Sequence, residues 1–412
     1  MGEVLDVAVV GSGAAGIAAA RRLVEKNRSV LLIEALPRLG GRAHTDFTHG
    51  MPLDLGCGWM HSADRNPLAA LAEKNGQTVD RSEGAWSRQL RNIGISPQSQ
   101  HEAWDAFTHF KDRLRASPPP DDRASAAMPP GDRWRPFADA LSSFLNGVEL
   151  DQLSAADFIA YENAATATNW RLPNGYGEFI AGLGAMLPVA LATRVNAVSC
   201  GDGVVLNTDR GTIRASTAIV AVSTAVLARG DIRFEPAADD HLHAASQLPL
   251  GLADKIFFST ATPDAVPAES HLLGRFDMAA TGSYYLRPFG RPLVECYLGG
   301  AWARDLERRG KDAAISFARE QLKDLLGADF ARSLTPMAVT QWAQEATIGG
   351  SYSHALPGQA EARSLLSQPV GGRLCFAGEA CSKHDFSTVH GAWQSGIEAA
   401  DMTERFLAGK GG

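Results

Sequence analysis

Apolar runs alternate with a glycine-rich turn and an alanine-rich stretch in the first fifty residues. The run Leu5–Val10 is apolar over most of its length, which is typical of a strand buried on both faces. The glycine-rich turn follows, then an alanine-rich stretch to about Asn27 that predicts a helix, then a second apolar run at Ser29–Glu34. This order predicts two parallel strands joined by a right-handed helical crossover.

The region from residue 194 to residue 222 has the pattern of a β-meander. Short β-rich runs are separated by turns that contain glycine, which is a hairpin signal. The predicted strands are Arg194–Cys200, Val204–Thr208, Thr212–Arg214 and Ala218–Val222.

The second half of the chain mixes strands and helices. An α+β unit is predicted from residues 255 to 343, and the last block predicts a strand and a long helix with one apolar face. The predicted elements are strands at Lys255–Phe258, Tyr284–Arg287, Leu293–Leu298, Val339–Trp342 and Arg373–Glu379, and helices near Asp312–Leu326 and Thr388–Leu407.

Residues 98–135 differ from the rest because they are polar and rich in proline. Pro118–Pro120 form a run of three, which excludes a helix there and favours extended backbone. We expect a surface loop or a lid over residues 98–135, and an excursion without function is an equally good interpretation.

These patterns predict an α/β fold with two interleaved domains. A Rossmann-like dinucleotide-binding domain, with a parallel sheet and a β-meander, is expected from residues 1–80, 190–245 and 345–412. An α+β substrate-binding domain is expected from residues 81–189 and 246–344. The first domain is therefore discontinuous in sequence.

Composition narrows the class of protein. The 412 residues are 45% hydrophobic and 21% charged with a net charge of −7, which is ordinary for a globular protein and argues against nucleic acid or a membrane as partner. The five cysteines contain no Cys-x-x-Cys pair, so we expect no metal site and a reducing, cytoplasmic location. No leader or spanning segment is recognisable. Whether the chain forms a homodimer stays open.

The glycine-rich turn carries the clearest chemistry. Gly11, Gly13 and Gly16, with Ser12, Ala14 and Ala15 between them, stand between the first strand and the first helix. Gly11 permits the tight turn, Gly13 lets a pyrophosphate approach, and Gly16 lets helix and strand pack closely. Glu34 ends the second strand, where a carboxylate binds both ribose hydroxyls and repels a 2′-phosphate. The sequence therefore favours FAD or NAD over NADP.

A second glycine pair narrows the choice of nucleotide. Gly40, Gly41 and Arg42 follow the second strand, and an arginine there can clamp a diphosphate, although a surface salt bridge would explain it too. Here the sequence resembles the flavin amine oxidase superfamily, in which this Gly-Gly-Arg follows the ribose-binding glutamate and FAD is the cofactor. The dinucleotide-binding domain is then expected to be an FAD-binding domain.

The resemblance implies a set of further FAD contacts along the chain. Asp54–His61 looks like the segment beside the isoalloxazine ring, and Arg373–Ala380 looks like the second FAD signature of the family. The helix that starts near Thr388 would aim its positive end at the flavin. The implied contact residues, besides those of the glycine-rich turn, Gly40, Gly41 and Arg42, are Glu34, Ala35, Gly58, Trp59, Met60, Val195, Trp342, Gly378, Glu379, Thr388 and Val389.

The resemblance also implies a catalytic lysine. Gly251–Phe258 looks like the strand that carries it, which makes Lys255 the candidate. In the family this lysine holds a water against flavin N5. A lysine among apolar residues is expected to have a lowered pKa, suited to proton transfer. A lysine that only extends from the end of a strand is the alternative.

The substrate site is implied less completely. Tyr352 would form one wall of a cage, Thr388 stands where monoamine oxidases often have a second tyrosine, and His61 is expected to meet the substrate. The second wall stays open among Trp59, Trp170, Tyr284 and Phe386. Gly350–Ser353 and Thr388–Ala392 look most like the polyamine oxidase and histone demethylase branch, and Ser351 replaces the flavin-linked cysteine of monoamine oxidases, so FAD is expected to be non-covalent.

The implied activity is oxidation of the C–N bond of a small amine. The substrate would give a hydride to flavin N5, and O2 would reoxidise the flavin to give hydrogen peroxide and an imine that hydrolyses to an aldehyde. An L-amino-acid oxidase, with Arg65, Arg171 or Arg287 binding the carboxylate, is one alternative. A flavin desaturase and a flavin-bearing scaffold without turnover are the others.

Overall fold

A computed structural model describes residues 4–84, 86, 90 and 93–409. Most of the strands within those residues fall into two large sheets. In chain order the strands are β1 (Leu5–Val10), β2 (Val30–Ile33), β3 (Thr45–Asp46), β4 (Leu53–Asp54), β5 (Val189–Ala190), β6 (Val195–Cys200), β7 (Val204–Thr208), β8 (Gly211–Val220), β9 (Arg233–Glu235), β10 (Ala253–Thr260), β11 (Ser270–Leu273), β12 (Ser283–Leu286), β13 (Leu293–Gly299), β14 (Leu334–Val339) and β15 (Leu374–Phe376).

The helices lie mostly between and after these strands, and the longest begin at residues 97 and 389. In chain order they are α1 (Ala14–Glu25), α2 (Pro67–Lys74), α3 (Pro97–Ala116), α4 (Arg135–Asn146), α5 (Ala155–Ala164), α6 (Tyr176–Gly184), α7 (Thr224–Ala228), α8 (Asp239–Gln247), α9 (Gly300–Arg309), α10 (Lys311–Leu326), α11 (Ala328–Ser333), α12 (Ala362–Leu366) and α13 (Val389–Ala408). Across the described ranges, none of the helices combines the length and apolar character that a bilayer crossing requires.

The first sheet confirms the predicted parallel crossover. Its eight strands run in the order β5-β2-β1-β8-β7-β6-β9, and β15 pairs with β8. β1 is parallel to both β2 and β8, with Val7 opposite Val30 and Thr217. The carboxyl ends of β1 and β2 therefore lie side by side, which is where a dinucleotide binds in folds of this kind.

The meander differs from the prediction in one respect. The separate strands predicted at Thr212–Arg214 and Ala218–Val222 form the single strand β8. Its first half pairs with β7, and its second half pairs with β1 and β15. The chain contains no breaker between the two predicted strands, so one strand can serve both neighbours.

Helices α1 and α13 pack tightly on one face of this sheet. Gly396 makes the approach possible, because a Cβ there would come within 2.1 Å of the Ala15 carbonyl oxygen. The two helices come from opposite ends of the chain, and this contact brings the start of α13 close to the glycine-rich turn.

The second sheet is antiparallel, in the order β11-β12-β13-β10-β14. Ile256 and Phe258 of β10 point to a buried core that also contains Cys296, while Lys255 lies opposite Tyr297 of β13 on the other face. The predicted strand at Val339–Trp342 is shifted, since β14 ends at Val339 and Trp342 follows it in a turn.

The loop predicted over residues 98–135 is wrong for its first half. Helix α3 occupies Pro97–Ala116, with Ser96 capping it, and the triple proline follows its end. Ala103, Phe107, Phe110 and Leu114 recur at helical spacing and are buried in a core with α4 and α5. The prolines end the helix instead of excluding it. The predicted domain boundaries stay a prediction.

The core beneath α3 gives the first testable prediction. Phe110→Ala removes a fully buried ring, so we expect it to lower the free energy of unfolding by about 3–5 kcal/mol. His109→Ala, at the exposed neighbouring position, should change it by less than about 0.5 kcal/mol. Urea unfolding followed by tryptophan fluorescence measures both. Equal stability of the two variants would contradict the packing of α3 described above.

Candidate functional site

The glycine-rich turn joins β1 to α1 and leaves space in front of it. Gly11 has φ +97°, and a Cβ on Gly16 would come within 1.8 Å of the Gly11 carbonyl oxygen, so both positions require glycine. A Cβ on Gly13 would meet only the Gly40 carbonyl oxygen, at 4.0 Å. The turn therefore has its open side at Gly13, at the N-terminus of α1, where an anion is favoured.

Glu34 lies at the end of β2 and is tied to the same turn. Its Oε2 accepts hydrogen bonds from the backbone N–H and the hydroxyl of Ser12, both at 2.7 Å, and its Oε1 accepts one from the N–H of Leu36 at 2.8 Å. The side chain is buried. A carboxylate is thus fixed beside the turn, and Ala35 follows it. The ribose-binding role of Glu34 stays a prediction.

The second glycine pair lies against the first turn. The N–H of Gly40 donates to the Ser12 carbonyl oxygen at 2.9 Å, and a Cβ on Gly41 would lie 3.3 Å from the Cα of Gly13. Both Gly40 and Gly41 have positive φ angles. The two glycine segments therefore form one cradle of backbone without side chains.

Arg42 follows the second glycine pair, and its side chain contacts the C-terminal part of the chain. Its Nη1 donates to Glu379 Oε1 at 2.9 Å and to the Ser351 carbonyl oxygen at 2.5 Å. The salt bridge weighed as an alternative for Arg42 thus exists, but its partner Glu379 is buried and is itself a predicted cofactor residue. The bridge joins two predicted cofactor segments that are more than three hundred residues apart.

Glu379 is the centre of a buried polar network. It accepts hydrogen bonds from the hydroxyl and N–H of Ser353 and from the N–H of Ser387. Burial acts to raise the pKa of Glu379, but the charges of Arg42 and Arg363 and these hydrogen bonds outweigh it and lower the pKa. Glu379 is therefore ionised. Gly378 precedes it with φ +151°, and a Cβ there would meet no atom closer than 4.0 Å.

The N-terminus of α13 lies next to this network. Thr388 caps the helix: its Oγ1 accepts the N–H of Gly391 at 3.0 Å and donates to the Asp385 carbonyl oxygen at 2.6 Å. Val389 begins the helix. Because the first backbone N–H groups of a helix have no partner within it, this end carries a partial positive charge.

Lys255 is fixed by two partners. Its Nζ lies 2.8 Å from Glu295 Oε1 and donates to the Asp54 carbonyl oxygen at 2.9 Å. The predicted lowering of its pKa is wrong. Burial does act to lower the pKa of Lys255, but the charge and hydrogen bond of Glu295, with a contribution from Asp54, outweigh burial and raise it. The side chain is a buried ammonium, and Glu295 is the residue that sequence reasoning missed.

The segment from Asp54 to His61, here called the 54–61 segment, runs past Lys255. A Cβ on Gly58 would lie 3.5 Å from Lys255 Nζ, and Trp342 Nε1 donates to the Leu55 carbonyl oxygen at 3.3 Å. At the other end, Met60 pairs with Trp170 through two backbone hydrogen bonds. The predicted neighbours Lys255, Gly58 and Trp342 are thus brought together.

His61 ends the 54–61 segment on the side of α13. Its Nδ1 lies 2.8 Å from Asn169 Oδ1, and burial lowers the pKa of His61 although this hydrogen bond acts to raise it. The charge of His390, in the first turn of α13, also lowers it. His61 is therefore a neutral imidazole near the start of the last helix.

Tyr352 is paired with a second tyrosine that the sequence did not single out. The two hydroxyl oxygens of Tyr352 and Tyr297 lie 3.0 Å apart, and the Tyr352 hydroxyl donates to the Phe144 carbonyl oxygen at 2.5 Å. Tyr297 lies directly opposite Lys255 in the β10–β13 ladder, so their side chains leave the same face of the sheet. The alternation of apolar and polar residues in β13 was the available signal.

The four residues considered for the second cage wall differ in their surroundings. Tyr284 cannot form the wall, because it is fully buried on the opposite face of the sheet and its hydroxyl donates to Gln321. Phe386 is buried beneath the Arg363 guanidinium, 3.7 Å from the ring centre. Trp59 stacks on Tyr285, and Trp170 lies under Arg81. Val195 starts β6 with its side chain buried, and its predicted adenine contact stays a prediction.

The arginines considered for an amino-acid carboxylate all have carboxylate partners within the chain. The closest pairs are Arg65 with Asp385 at 2.5 Å, Arg171 with Asp80 at 2.5 Å, and Arg287 with Asp264 at 3.4 Å. Arg171 is buried and also pairs with Glu269. A substrate carboxylate would have to displace one of these partners, so the geometry does not favour an amino acid.

The site fits a dinucleotide with a flat redox ring. A cradle of backbone lies at the N-terminus of α1, and the Glu34 carboxylate lies beside it. Arg42, the N-terminus of α13 and the buried Lys255 ammonium complete the site. No group of three or more His, Cys, Asp or Glu residues suited to a metal occurs within the part of the chain that the structure describes.

Comparison with known proteins agrees with this geometry. Polyamine oxidase 5 of Oryza sativa subsp. japonica is 28% identical over 443 residues, covering 98% of this chain and 88% of that protein. The structure of cyclohexylamine oxidase from Brevibacterium oxydans IH-35A superposes with a TM-score of 0.81 at 19% identity, covering 98% of this chain and 100% of the other. Wild-type putrescine oxidase bound to putrescine gives a TM-score of 0.79 at 18% identity, covering 97% and 98%.

The sequence profile of one family spans nearly the whole chain. The profile described as "Flavin containing amine oxidoreductase" matches residues 14–402, from the glycine-rich turn to the last helix. The match includes Gly16, the second glycine pair, Lys255 and the network around Glu379. The chain belongs to the family of flavin-containing amine oxidoreductases.

Proposed function

We propose that the chain is an oxidase that binds FAD non-covalently and oxidises the C–N bond of a small primary or secondary amine, with O2 as acceptor. The observation that carries the proposal is the Arg42–Glu379 ion pair, because it joins the N-terminal cradle to the start of α13 in a single site. Relatives named for polyamine, putrescine and cyclohexylamine oxidation support an amine as substrate.

Each part of an extended dinucleotide has a matching group in the chain. The N-terminus of α1 at Gly13 would take the pyrophosphate, and Glu34 would take the ribose nearest the adenine. The N-terminus of α13 would face the ring edge that gains negative charge on reduction. FAD, when bound, would supply hydride acceptance from the amine carbon and electron transfer to O2, giving hydrogen peroxide.

The side chains around the proposed ring site orient the substrate and exclude water. Tyr352 and Tyr297 would form an aromatic wall, and burial is the main cause that raises the pKa of both, so both keep their protons. His61 is neutral and can accept a hydrogen bond from the amine. We also propose a reducing, cytoplasmic location, because all five cysteines are free thiols.

Release of the cofactor tests its identity and attachment. Ser351 stands where monoamine oxidases have the flavin-linked cysteine, and its hydroxyl is used in hydrogen bonds with the N–H and carbonyl of Ala253. We expect acid precipitation to leave all the yellow colour in the supernatant, and mass spectrometry to identify the released compound as FAD. Colour retained in the protein pellet, or release of FMN, would contradict this part of the proposal.

The open side of the turn gives a test of the pyrophosphate site. Gly13 has φ −70° and ψ −177°, an extended conformation that valine adopts readily, and its Cβ position is free of protein atoms. Gly13→Val should therefore leave the apoprotein folded but weaken FAD binding by roughly tenfold or more. Fluorescence titration of the apoprotein with FAD measures this. Gly201→Val, in an open turn far from the cradle, is the matched control and should bind FAD as the wild type does.

A peroxide-coupled screen with polyamines, diamines, alkylamines and L-amino acids tests the reaction. We expect peroxide from amines and none from amino acids. The substrate amine must lose its proton to release hydride, so kcat/KM should rise about tenfold per pH unit below the amine's pKa. The lowered pKa of His61 and the raised pKa of Lys255 keep both side chains in one state over neutral to moderately alkaline pH. Peroxide from amino acids alone would replace the proposal with the amino-acid oxidase alternative.

A further inference from the structure

The face of the second sheet that carries Lys255 also carries a carboxylate to which the proposed reaction assigns no role. Glu295 lies opposite Phe257 in the β10–β13 ladder, two residues from Tyr297, so Glu295, Tyr297 and Lys255 leave the same face. Glu295 also lines a cavity together with Asp54, Gly58 and other residues of that region. Its carboxylate reaches Lys255 diagonally across the two strands.

We propose that Glu295 is a positioning residue that holds the Lys255 ammonium as a fixed positive charge beside the 54–61 segment, so that Lys255 acts as a cation and not as a base. The proposal rests on the proposed function only for the statement that this segment borders the flavin. It differs from the role expected for a lysine in apolar surroundings, which would donate and accept protons.

The geometry holds the ammonium from two sides. Glu295 Oε1, from β13, lies 2.8 Å from Lys255 Nζ. The carbonyl oxygen of Asp54, from β4, lies 2.9 Å from the same nitrogen. The side chains of Lys255 and Glu295 are 8% and 19% exposed, so water screens the pair poorly. Removing one partner of such a pair leaves a buried charge without compensation.

The other titratable groups around Lys255 do not replace Glu295. The Asp54 carboxylate is turned to the Thr45 hydroxyl and to the N–H groups of Tyr176 and Gly177. The Cys57 thiol and the Tyr297 hydroxyl are neutral, because burial raises the pKa of each. Two cations, Arg171 and Arg291, line the same cavity as Glu295, and their charges would disfavour the positive charge on Lys255.

A fixed cation has a clear use at this position. Reduction of a bound flavin and of O2 both build negative charge, and a preorganised positive charge stabilises it without reorganisation. The role requires no proton transfer by Lys255. It therefore predicts a site whose performance falls when the ammonium is lost at high pH, and falls earlier when Glu295 is absent.

Glu295→Gln in the holoenzyme tests the proposal by two measurements. The first is the rate of reductive methylation of Lys255 by formaldehyde and a borane reductant at pH 9, followed by peptide mass spectrometry, because only the neutral amine reacts. We expect the rate to rise roughly tenfold or more, which corresponds to one pH unit in the neutral fraction. The second is the pH dependence of flavin reoxidation by O2 in stopped-flow, whose high-pH decline should shift at least about one unit lower.

Glu162→Gln is the matched control, since it removes the carboxylate partner of another lysine, Lys111, at 3.2 Å. It should change neither measurement at Lys255 or at the flavin. Glu295→Asp keeps the charge and should return both measurements toward wild type, which a purely structural effect of E295Q would not do. If E295Q fails to fold, E295D still decides the question: its shorter side chain weakens the pair, so both measurements should move part of the way expected for E295Q, and values equal to wild type would overturn the proposal.

A shift of either measurement in E295Q that E162Q does not show would support the proposal. Lys255 reactivity and a reoxidation profile that both match wild type in E295Q would overturn it. The methylation readout needs no substrate turnover. Failure of the proposed amine oxidation, seen as a peroxide screen without signal in the wild type, is therefore distinguishable from failure of the role of Glu295.

Discussion

The structure depends on joining the two ends of the chain around one elongated site. The ion pair between Arg42 and Glu379 is the point where this happens, since one partner follows the glycine-rich cradle and the other precedes the last helix. A buried carboxylate without a cation would be costly, and Glu379 is ionised only because Arg42, Arg363 and three hydrogen-bond donors surround it. The packing of α13 on α1, through Gly396, places both segments at the correct distance for this pair.

Local signals in the sequence account for the part of the fold nearest the cradle. The spacing of Gly11, Gly13 and Gly16 reflects constraints that act within a few residues, so the turn, α1 and β2 could be predicted from the sequence. Glu34 could be placed for the same reason, because the end of β2 lies next to β1 in any parallel crossover. Helix α3 was not predicted because residues 98–135, taken together, are polar and rich in proline. The helical spacing of Phe107, Phe110 and Leu114, just before the proline run, was the signal that could have predicted it.

Long-range pairing accounts for what the sequence could not predict. Lys255 was found through its strand, but the sign of its pKa shift depends on Glu295, forty residues later, and on the register of β10 against β13. A one-residue change of register would turn Glu295 into the core and leave Lys255 with burial as its dominant influence. Tyr297 was missed for the same reason, since its contact with Tyr352 exists only after two segments, 55 residues apart in sequence, have met.

The two ends of the proposed site use the same arrangement, a cation whose position is fixed by a carboxylate. At the cradle, the N-terminus of α1 and Arg42 would provide positive potential for a phosphate, and Glu379 balances the arginine. At the proposed ring site, the Lys255 ammonium would provide positive potential, and Glu295 balances the lysine. In both places the carboxylate fixes the position of the cation, so the cation is set before a ligand arrives. A site built in this way spends no reorganisation energy when negative charge develops, which is the property that favours electron transfer from an amine to a bound flavin.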